Sequence, residues 1–527
     1  MKPKKPISGL KLALKTSVVS GMTLLSRILG LVRDVVFARF FGAGLLMDAF
    51  IVAQRIPNML RRFFAEGAFS AGFVPVMARY KEQHDDNEAR EYLDAMAGTF
   101  GIVLFVVTLI GVIAAPLLVL VVAPGFISDG GDFDLAALML RFTFPYLFFI
   151  SLTAFAGGIL NTHGHFGVSA FTPVLLNVVL IAAAVWVAPL LEQPIMALAY
   201  AIFVAGAVQL LFQIPFLAKI RALPRPKWRP RNDGVKRAFK LMLPAIFGSS
   251  VAQINVLLSG VIASLLPVGS FSYLYYSDRL MEFPLGLFGI ALATVTLPYM
   301  SRLWANNDRR EFAETLEWSM KIAILIAVPA AIGLIMLAAP LVTTLFHGGE
   351  FDERSVSMTV LALRAYAVGL VGFSLVKVLV PAFFAREDTR TPVRIGILAL
   401  AVNLVLGASS AWYLTVNGIA GPHMGLAAAT SVAAVLNAVL LYRGLRKADV
   451  IRHTPGWGVM LLRVILANGA MVAVLTILGR SVSWWLDAVL AERVAWLALS
   501  VAAGAGIYFV ALVVLGLRPA QFRMRHN

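Results

Sequence analysis

The chain has 527 residues, of which 60% are hydrophobic and only 14% charged, against about 25% charged residues in a soluble domain. With a mean hydropathy of +0.84 it reads as a polytopic membrane protein. Its formal net charge is +17 and it has no cysteine, which excludes disulfides, thiolate metal sites and cysteine nucleophiles.

Apolar runs bounded by Gly, Pro and charge predict fourteen helices, at about residues 15–40, 46–78, 95–123, 136–160, 167–188, 195–218, 237–265, 271–300, 318–346, 355–384, 391–413, 422–443, 461–479 and 490–516. The expected fold class is therefore all-α, with fourteen transmembrane helices. The first, second and eighth are weak by hydropathy because each carries several charges. The second is also long and contains Pro57, Gly67 and Gly72, so a kink or tilt is expected within it. Met1 to Lys15 is basic and is followed by a charged helix without a small-residue cleavage site, so the amino terminus is expected to remain. The seven histidines (84, 163, 165, 347, 423, 453 and 526) lie at or near expected loops and chain ends, without ligand-like spacing.

Alternate loops differ in charge. One set holds Lys2, Lys4 and Lys5, then Arg79 to Arg90, Lys219 to Lys240, Arg302 to Arg310, Arg386 to Arg394, Arg443 to Arg452, and the tail with Arg518, Arg523 and Arg525; the other set is short and neutral or acidic. The positive-inside rule then puts both termini in the cytoplasm, which an even number of spans requires. Lys219 to Lys240 is the longest of the basic loops, and cytoplasmic topology beside anionic headgroups accounts for its charge without nucleic acid. The halves on either side of it resemble copies. GGDFD at Gly130 recurs as GGEFD at Gly348, LMLRF at Leu138 as LALRA at Leu361, and PVMAR at Pro75 as PYMSR at Pro298, at offsets of 218, 223 and 223 residues. The expected organisation is an N-terminal six-helix lobe over 1–218, a basic cytoplasmic loop over 219–240, a C-terminal six-helix lobe over 241–446, and two additional helices with the tail over 447–527. Transporters place substrate at such a repeat interface.

From Ser26 to Arg79 the chain is as hydrophobic as membrane helices, yet it carries Arg27, Arg33, Asp34, Asp48, Arg55, Arg61, Arg62 and Glu66. A guanidinium in hydrocarbon costs from about 2.5 to more than ~10 kcal/mol, so these groups are expected to face a bundle interior or a wet cavity. Ser26 and Arg33, and Arg27 and Asp34, are each seven residues apart and lie on shared stripes of the first helix. In the second helix Gln54, Asn58 and Arg61 follow i, i+4, i+7, and Asp48 precedes Arg55 by seven. The eighth repeats the design, with Ser272, Tyr276, Arg279 and Glu282 or Phe283 on one face and Asp278 and Glu282 at i, i+4.

Arg27, Arg33, Arg61 and Arg279 exceed the acids near them. Guanidinium offers planar, bidentate donors matched to phosphate and keeps its proton in a dry site, so a cavity with surplus arginine implies an anionic cargo. Asp34, Asp48 and Glu282 are expected to pair with arginines in the empty cavity, with proton relay as the alternative. Arg62 and Glu66 read as an internal i, i+4 pair, Lys377 as snorkelling, and Arg141 and Arg364, at matching repeat positions, as structural. Arg39 and Arg55 read equally as cavity residues and as interfacial or carbonyl-bound ones. Asn255, Asn403 and Thr430 carry the types a cation site would need, but polar contacts between helices are the default for them. No GxxxxGK[ST], HExxH or GxSxG motif occurs, so ATP hydrolysis and the common hydrolytic chemistries lack their residues. The expectation is a protein that is not an enzyme and that needs no cofactor or metal.

The stretches SRILGLVRDVVFARFFGAG, DAFIVAQRIPNMLRRFFAEGAFSAGFVP and YYSDRLMEFPLGLFGIALATVTLP closely resemble the MurJ (MviN) family of bacterial lipid II flippases. That family lies in a superfamily with multidrug and toxin extruders and polysaccharide exporters. The resemblance covers essentially the whole chain. It implies an inner-membrane protein that moves the undecaprenyl-diphosphate-linked disaccharide pentapeptide, lipid II, from the cytoplasmic to the periplasmic leaflet for peptidoglycan synthesis. It implies further that the essential cavity arginines are Arg27, Arg33, Arg61 and Arg279, that Ser26, Asp48, Asn58, Ser272 and Glu282 are other cavity positions, and that the last two helices form a groove for the lipid tail. Membrane lipids and, on the same footing, cell-wall synthesis or division proteins are its expected partners. The alternatives are an exporter of another anionic lipid-linked saccharide, a drug or metabolite antiporter on the same scaffold, and a lipid-binding scaffold that does not transport. Clustered arginines would repel the cationic drugs of the antiporter reading.

Overall fold

The computed structural model describes residues 9–83, 85–127, 133–451 and 456–517. Lys2, Lys4, Lys5, His84, Gly130 to Asp132, Arg452, His453, everything from Arg518 onward and the side chain of Glu66 lie outside the described residues. Among those described there is no strand, only an isolated antiparallel bridge between Gly348 and Phe351 inside the GGEFD turn. The helices are α1 (Gly9–Phe41), α2 (Leu45–Arg61), α3 (Ala68–Gln83), α4 (Asp86–Ile113), α5 (Ala115–Val122), α6 (Phe133–Thr143), α7 (Tyr146–Thr162), α8 (Phe166–Ala182), α9 (Met196–Lys219) and α10 (Asp233–Ser264). They continue as α11 (Ser270–Ala305), α12 (Arg309–Met336), α13 (Ala338–Phe346), α14 (Glu353–Val368), α15 (Leu370–Phe384), α16 (Arg390–Val416), α17 (His423–Lys447), α18 (Trp457–Ile477), α19 (Val482–Asp487) and α20 (Leu490–Val514).

Among the described residues nine helices are long and apolar enough to cross a membrane, or ten if α14 and α15, bent by 42°, count as one span. Four predicted runs that were expected as single helices are broken in two. α4 gives way to α5 beside Pro116, α6 to α7 at Pro145, α12 to α13 before Pro340, and α14 to α15 at Gly369. Proline supplies no N–H and its ring collides with the carbonyl four residues back. At Gly369 no proline is involved, and the glycine lies against α17, where a Cβ would meet the Ser431 Cα at 2.6 Å. Conversely, α2 runs unbroken through Pro57, and the expected irregularity falls later, in the π-helix Arg62–Gly67.

By packing the helices form two compact units, Met1–Leu265 and Leu266–Asn527. The first has an aromatic core in which Phe69 stacks on Phe73 (4.9 Å) and Phe100 (5.2 Å), with Phe155 edge-on at 6.0 Å. α10 adds Val235, Ala238 and Met242 to this core. Gly72 on α3 permits it, because a Cβ there would collide with Met242 and with the Ala238 carbonyl. Thus α10, expected to open the second lobe, completes the first unit. The basic segment leading into it lies strapped along α4. The buried Asp94 carboxylate accepts from the Arg225 amide (2.7 Å) and pairs with Lys227 Nζ (2.9 Å), while the Lys227 amide donates to the Asp94 carbonyl (2.9 Å). Arg229 pairs with Glu91, and only a glycine at 98 leaves room for the Lys227 backbone.

In the second unit, α11, α12, α15 and α17 share a core that includes Met300, Phe312, Leu316, Leu379, Phe383 and Leu441. α15 and α17 approach closely at Gly372, against the Ala434 and Val435 backbone. α18 and α20 pack together and against α12, where the Tyr508 hydroxyl donates to the Leu325 carbonyl at 2.7 Å. Their outer faces carry Leu462, Ile465, Phe509, Val510 and Val514, all exposed, as helices facing lipid do.

Candidate functional site

In the first unit Arg33 and Asp34 lie where α1 packs on α8. Arg33 is 9% exposed and Asp34 2%. Arg33 donates from Nε (3.0 Å) and Nη2 (2.7 Å) to Asp34 Oδ1, and from Nη1 to Asn177 Oδ1 (3.1 Å). The Asn177 Nδ2 then donates to the Ser26 carbonyl at 3.0 Å. One amide thus reads two turns of α1, tying the Ser26 and Arg33 stripe to α8. The Phe37 ring lies 5.6 Å from the Arg33 guanidinium carbon, contributing a cation–π contact in a desolvated setting.

This arrangement revises the expected electrostatics. Arg33 is not a surplus cation, because the neighbouring carboxylate compensates it, and Asp34 serves Arg33 rather than Arg27 on its own stripe. Arg27 is half-buried and makes no hydrogen bond or ion pair among the described residues. On α2, Asp48 is buried while Asn58 and Arg61 are half-buried. Asp48 and Arg61 stand in the first and last turns of a 17-residue helix, about 20 Å apart along its axis at 1.5 Å per residue. They therefore do not pair with each other directly. Arg55 presses against α10, with Gly260 making the room.

The eighth predicted helix, α11, divides its polar face. Ser272 and Tyr276 are buried, Tyr276 against Phe346 (5.0 Å) and Phe351 (5.4 Å). Two turns on, Arg279 pairs with Glu282 at 3.2 Å, with side chains 41% and 52% exposed, and its guanidinium carbon lies 5.1 Å from the Tyr275 ring. Thr430 donates to Asn403 at 3.3 Å and to the Leu426 carbonyl at 2.9 Å, a polar contact between α16 and α17. Arg364 donates to the Ile335 carbonyl at 3.3 Å. Among the described residues no group of three or more His, Asp or Glu assembles as a metal site.

Asn177 is the residue that reading the sequence missed. It is the single amide in the run 167–188, and a lone amide in an apolar span is a signal for an interhelical hydrogen bond. Its partner could be found only once α1 and α8 were seen in contact.

The family model described as lipid II flippase MurJ matches residues 37–495. The chain is 45% identical over 508 residues to a probable lipid II flippase of Vibrio cholerae, covering 95% of each. It is 42% identical over 512 residues to a lipid II flippase of Burkholderia cenocepacia, covering 96% of this chain and 98% of that one. Among solved structures, a lipid II flippase in an inward closed conformation superposes with a TM-score of 0.74 at 25% identity, over 94% of this chain and 99% of that one. An inward-facing multidrug transporter of the MATE family superposes with a TM-score of 0.64 at 16% identity, over 82% and 98%, a likeness of fold alone.

Proposed function

The chain belongs to the MurJ family of lipid II flippases. As such it is a transporter of the bacterial inner membrane and not an enzyme, and we propose that it moves lipid II by binding the headgroup diphosphate on Arg27, Arg33 and Arg61 of the first unit and Arg279 of the second. Ser26, Asn58 and Ser272 add neutral hydrogen bonds, and Asp34, Asp48 and Glu282 hold the arginines while the site is empty. The observation that carries this reading is the buried Arg33 held by Asp34 and Asn177. Burying a guanidinium is costly, and a built polar clamp in an apolar bundle is more than helix packing requires.

In this reading all fourteen predicted runs are spans, including the charged first, second and eighth and the seventh, which closes the first unit. Both termini lie in the cytoplasm, the two six-helix lobes work by alternating access, and the tail rides outside along α18 and α20. Four arginines against three carboxylates leave the empty site with one net positive charge. An inside-negative potential would favour its return by about 2.3 kcal/mol per 100 mV for full transit. Proteins of cell-wall synthesis or division, as consumers of the flipped lipid, are the partners this reading anticipates. Lipid II transfer in reconstituted vesicles tests it. Arg27→Ala and Arg279→Ala should abolish transfer while inserting normally, and binding without transfer in the unaltered protein would refute it.

A further inference from the structure

Away from the arginines of the flipping site, two turns of the second unit meet at Trp304. One is the α11–α12 turn over 306–308 and the other the α15–α16 turn over 385–389. Trp304 packs edge-on against Phe312 at 5.3 Å. The Arg309 guanidinium carbon lies 3.1 Å from the centre of the Trp304 ring, and that of Arg386 lies 5.0 Å from it and 6.0 Å from the Phe383 ring. Arg386 Nε and Nη1 are shut off from solvent and have no hydrogen-bond acceptor among the described residues. Of the three acids in these turns, Glu387 is exposed to solvent and the other two accept from backbone amides. Asp308 caps α12 by accepting from the Glu311 amide at 3.0 Å, and Asp388 accepts from the Thr391 amide at 3.0 Å at the start of α16.

We propose that these turns form a binding site for a phosphate group, gripped by the Arg386 guanidinium and covered by Arg309 over the Trp304 ring. Buried donors without acceptors cost free energy, and two guanidiniums around one indole repel each other. Burial lowers the Arg386 pKa; Asp388 opposes that shift and Arg309 adds to it. A phosphate relieves both costs, since its several oxygens can accept from two guanidiniums at once in the bidentate geometry that arginine favours. Arg309 is exposed and stands at the first residue of α12, so it can lift from the ring and close over the anion. A phospholipid headgroup and free inorganic phosphate share this chemistry. A tryptophan beside basic residues at the end of a membrane helix sits at headgroup depth.

Thermal unfolding of the whole chain in a phosphate-free maltoside detergent tests the site. One arm is titrated with inorganic phosphate and the other with dihexanoylphosphatidylglycerol below its micellar concentration, both at matched ionic strength. Saturable stabilisation is expected in at least one arm. Its half-saturating concentration should rise at least about tenfold in Arg386→Gln, the loss of a charge-assisted contact, rise less in Arg386→Lys, and hold steady in Lys227→Ala, which lies outside both phosphate-binding sites. Saturation with inorganic phosphate identifies a free anion as a ligand; saturation with the lipid alone identifies a headgroup. No saturable stabilisation in either arm, or the same half-saturation in Arg386→Gln as in the unaltered chain, overturns the site. Arg309→Gln changes an exposed side chain and carries the same comparison should Arg386→Gln fail to fold.

Discussion

Arg33 and Arg279 sit in different units, and each has a carboxylate close by in sequence, yet they are not equivalent. Arg33 is buried, fixed by Asp34 and by Asn177 from another helix. Arg279 is exposed and meets Glu282 three residues along its own helix. Removing one partner of a buried pair strands a charge at a cost of about 3–5 kcal/mol, whereas an exposed pair contributes about 0–1 kcal/mol. The same residue types therefore give a rigid clamp in one place and an adjustable one in the other.

Asp34→Ala should break the comparison most severely. It leaves Arg33 buried without its anion and should lower stability by about 3–5 kcal/mol, seen as a fall in the denaturation midpoint in detergent, while Glu282→Ala should change that midpoint little. Equal losses would mean that burial does not separate the two sites. Asn177→Ala should follow, at about 1–3 kcal/mol for the Arg33 donor left unsatisfied, with slower lipid II transfer in vesicles.

A third arginine sharpens the contrast, because it is buried and held by backbone carbonyls. Arg493, 8% exposed, donates to the Leu486 (2.5 Å) and Ala488 (2.8 Å) carbonyls and meets His347 Nδ1 at 3.1 Å. Burial and the Arg493 charge hold the His347 pKa below its ordinary value, with Glu353 and Asp352 acting weakly the other way. The folded state therefore binds fewer protons at His347 than the unfolded chain. Its stabilising contribution is full above the unfolded value of about 6.5 and is lost as pH falls from there toward the lower folded value. Melting temperatures measured across that window should fall in the unaltered chain and fall less in His347→Gln. Lys227→Ala should have the smallest effect, with lipid transfer unchanged, because only the half-exposed lysine is lost and the buried Asp94 keeps the Arg225 amide.

Much of the helix plan was legible in the sequence because a membrane demands long apolar runs, and those runs are visible as composition. The breaks were less legible. Pro57 passes through α2 without ending it, whereas Pro145 separates α6 from α7, because surrounding packing and not the proline alone decides. Ser26, Arg33, Tyr276 and Arg279 were found by their spacing, which fixes direction around one helix. That spacing could not say that Asp34 would turn to Arg33, nor that Asn177 would reach across from α8. The strap along α4 was hidden for a similar reason, since Asp94 is an ordinary acid until the backbone of Arg225 arrives beside it.

The placement of α10 bears on how the protein is made. A nascent chain that has delivered only its first 219 residues has Phe69, Tyr92 and Phe100 in place but lacks Val235, Ala238 and Met242, which close that core. Because domains settle from the amino end as synthesis proceeds, the early portion must wait in the bilayer, incompletely sealed, until α10 emerges from the ribosome. Two coexpressed fragments divided within 220–232 would inherit that gap, whereas fragments divided after Leu265 would not.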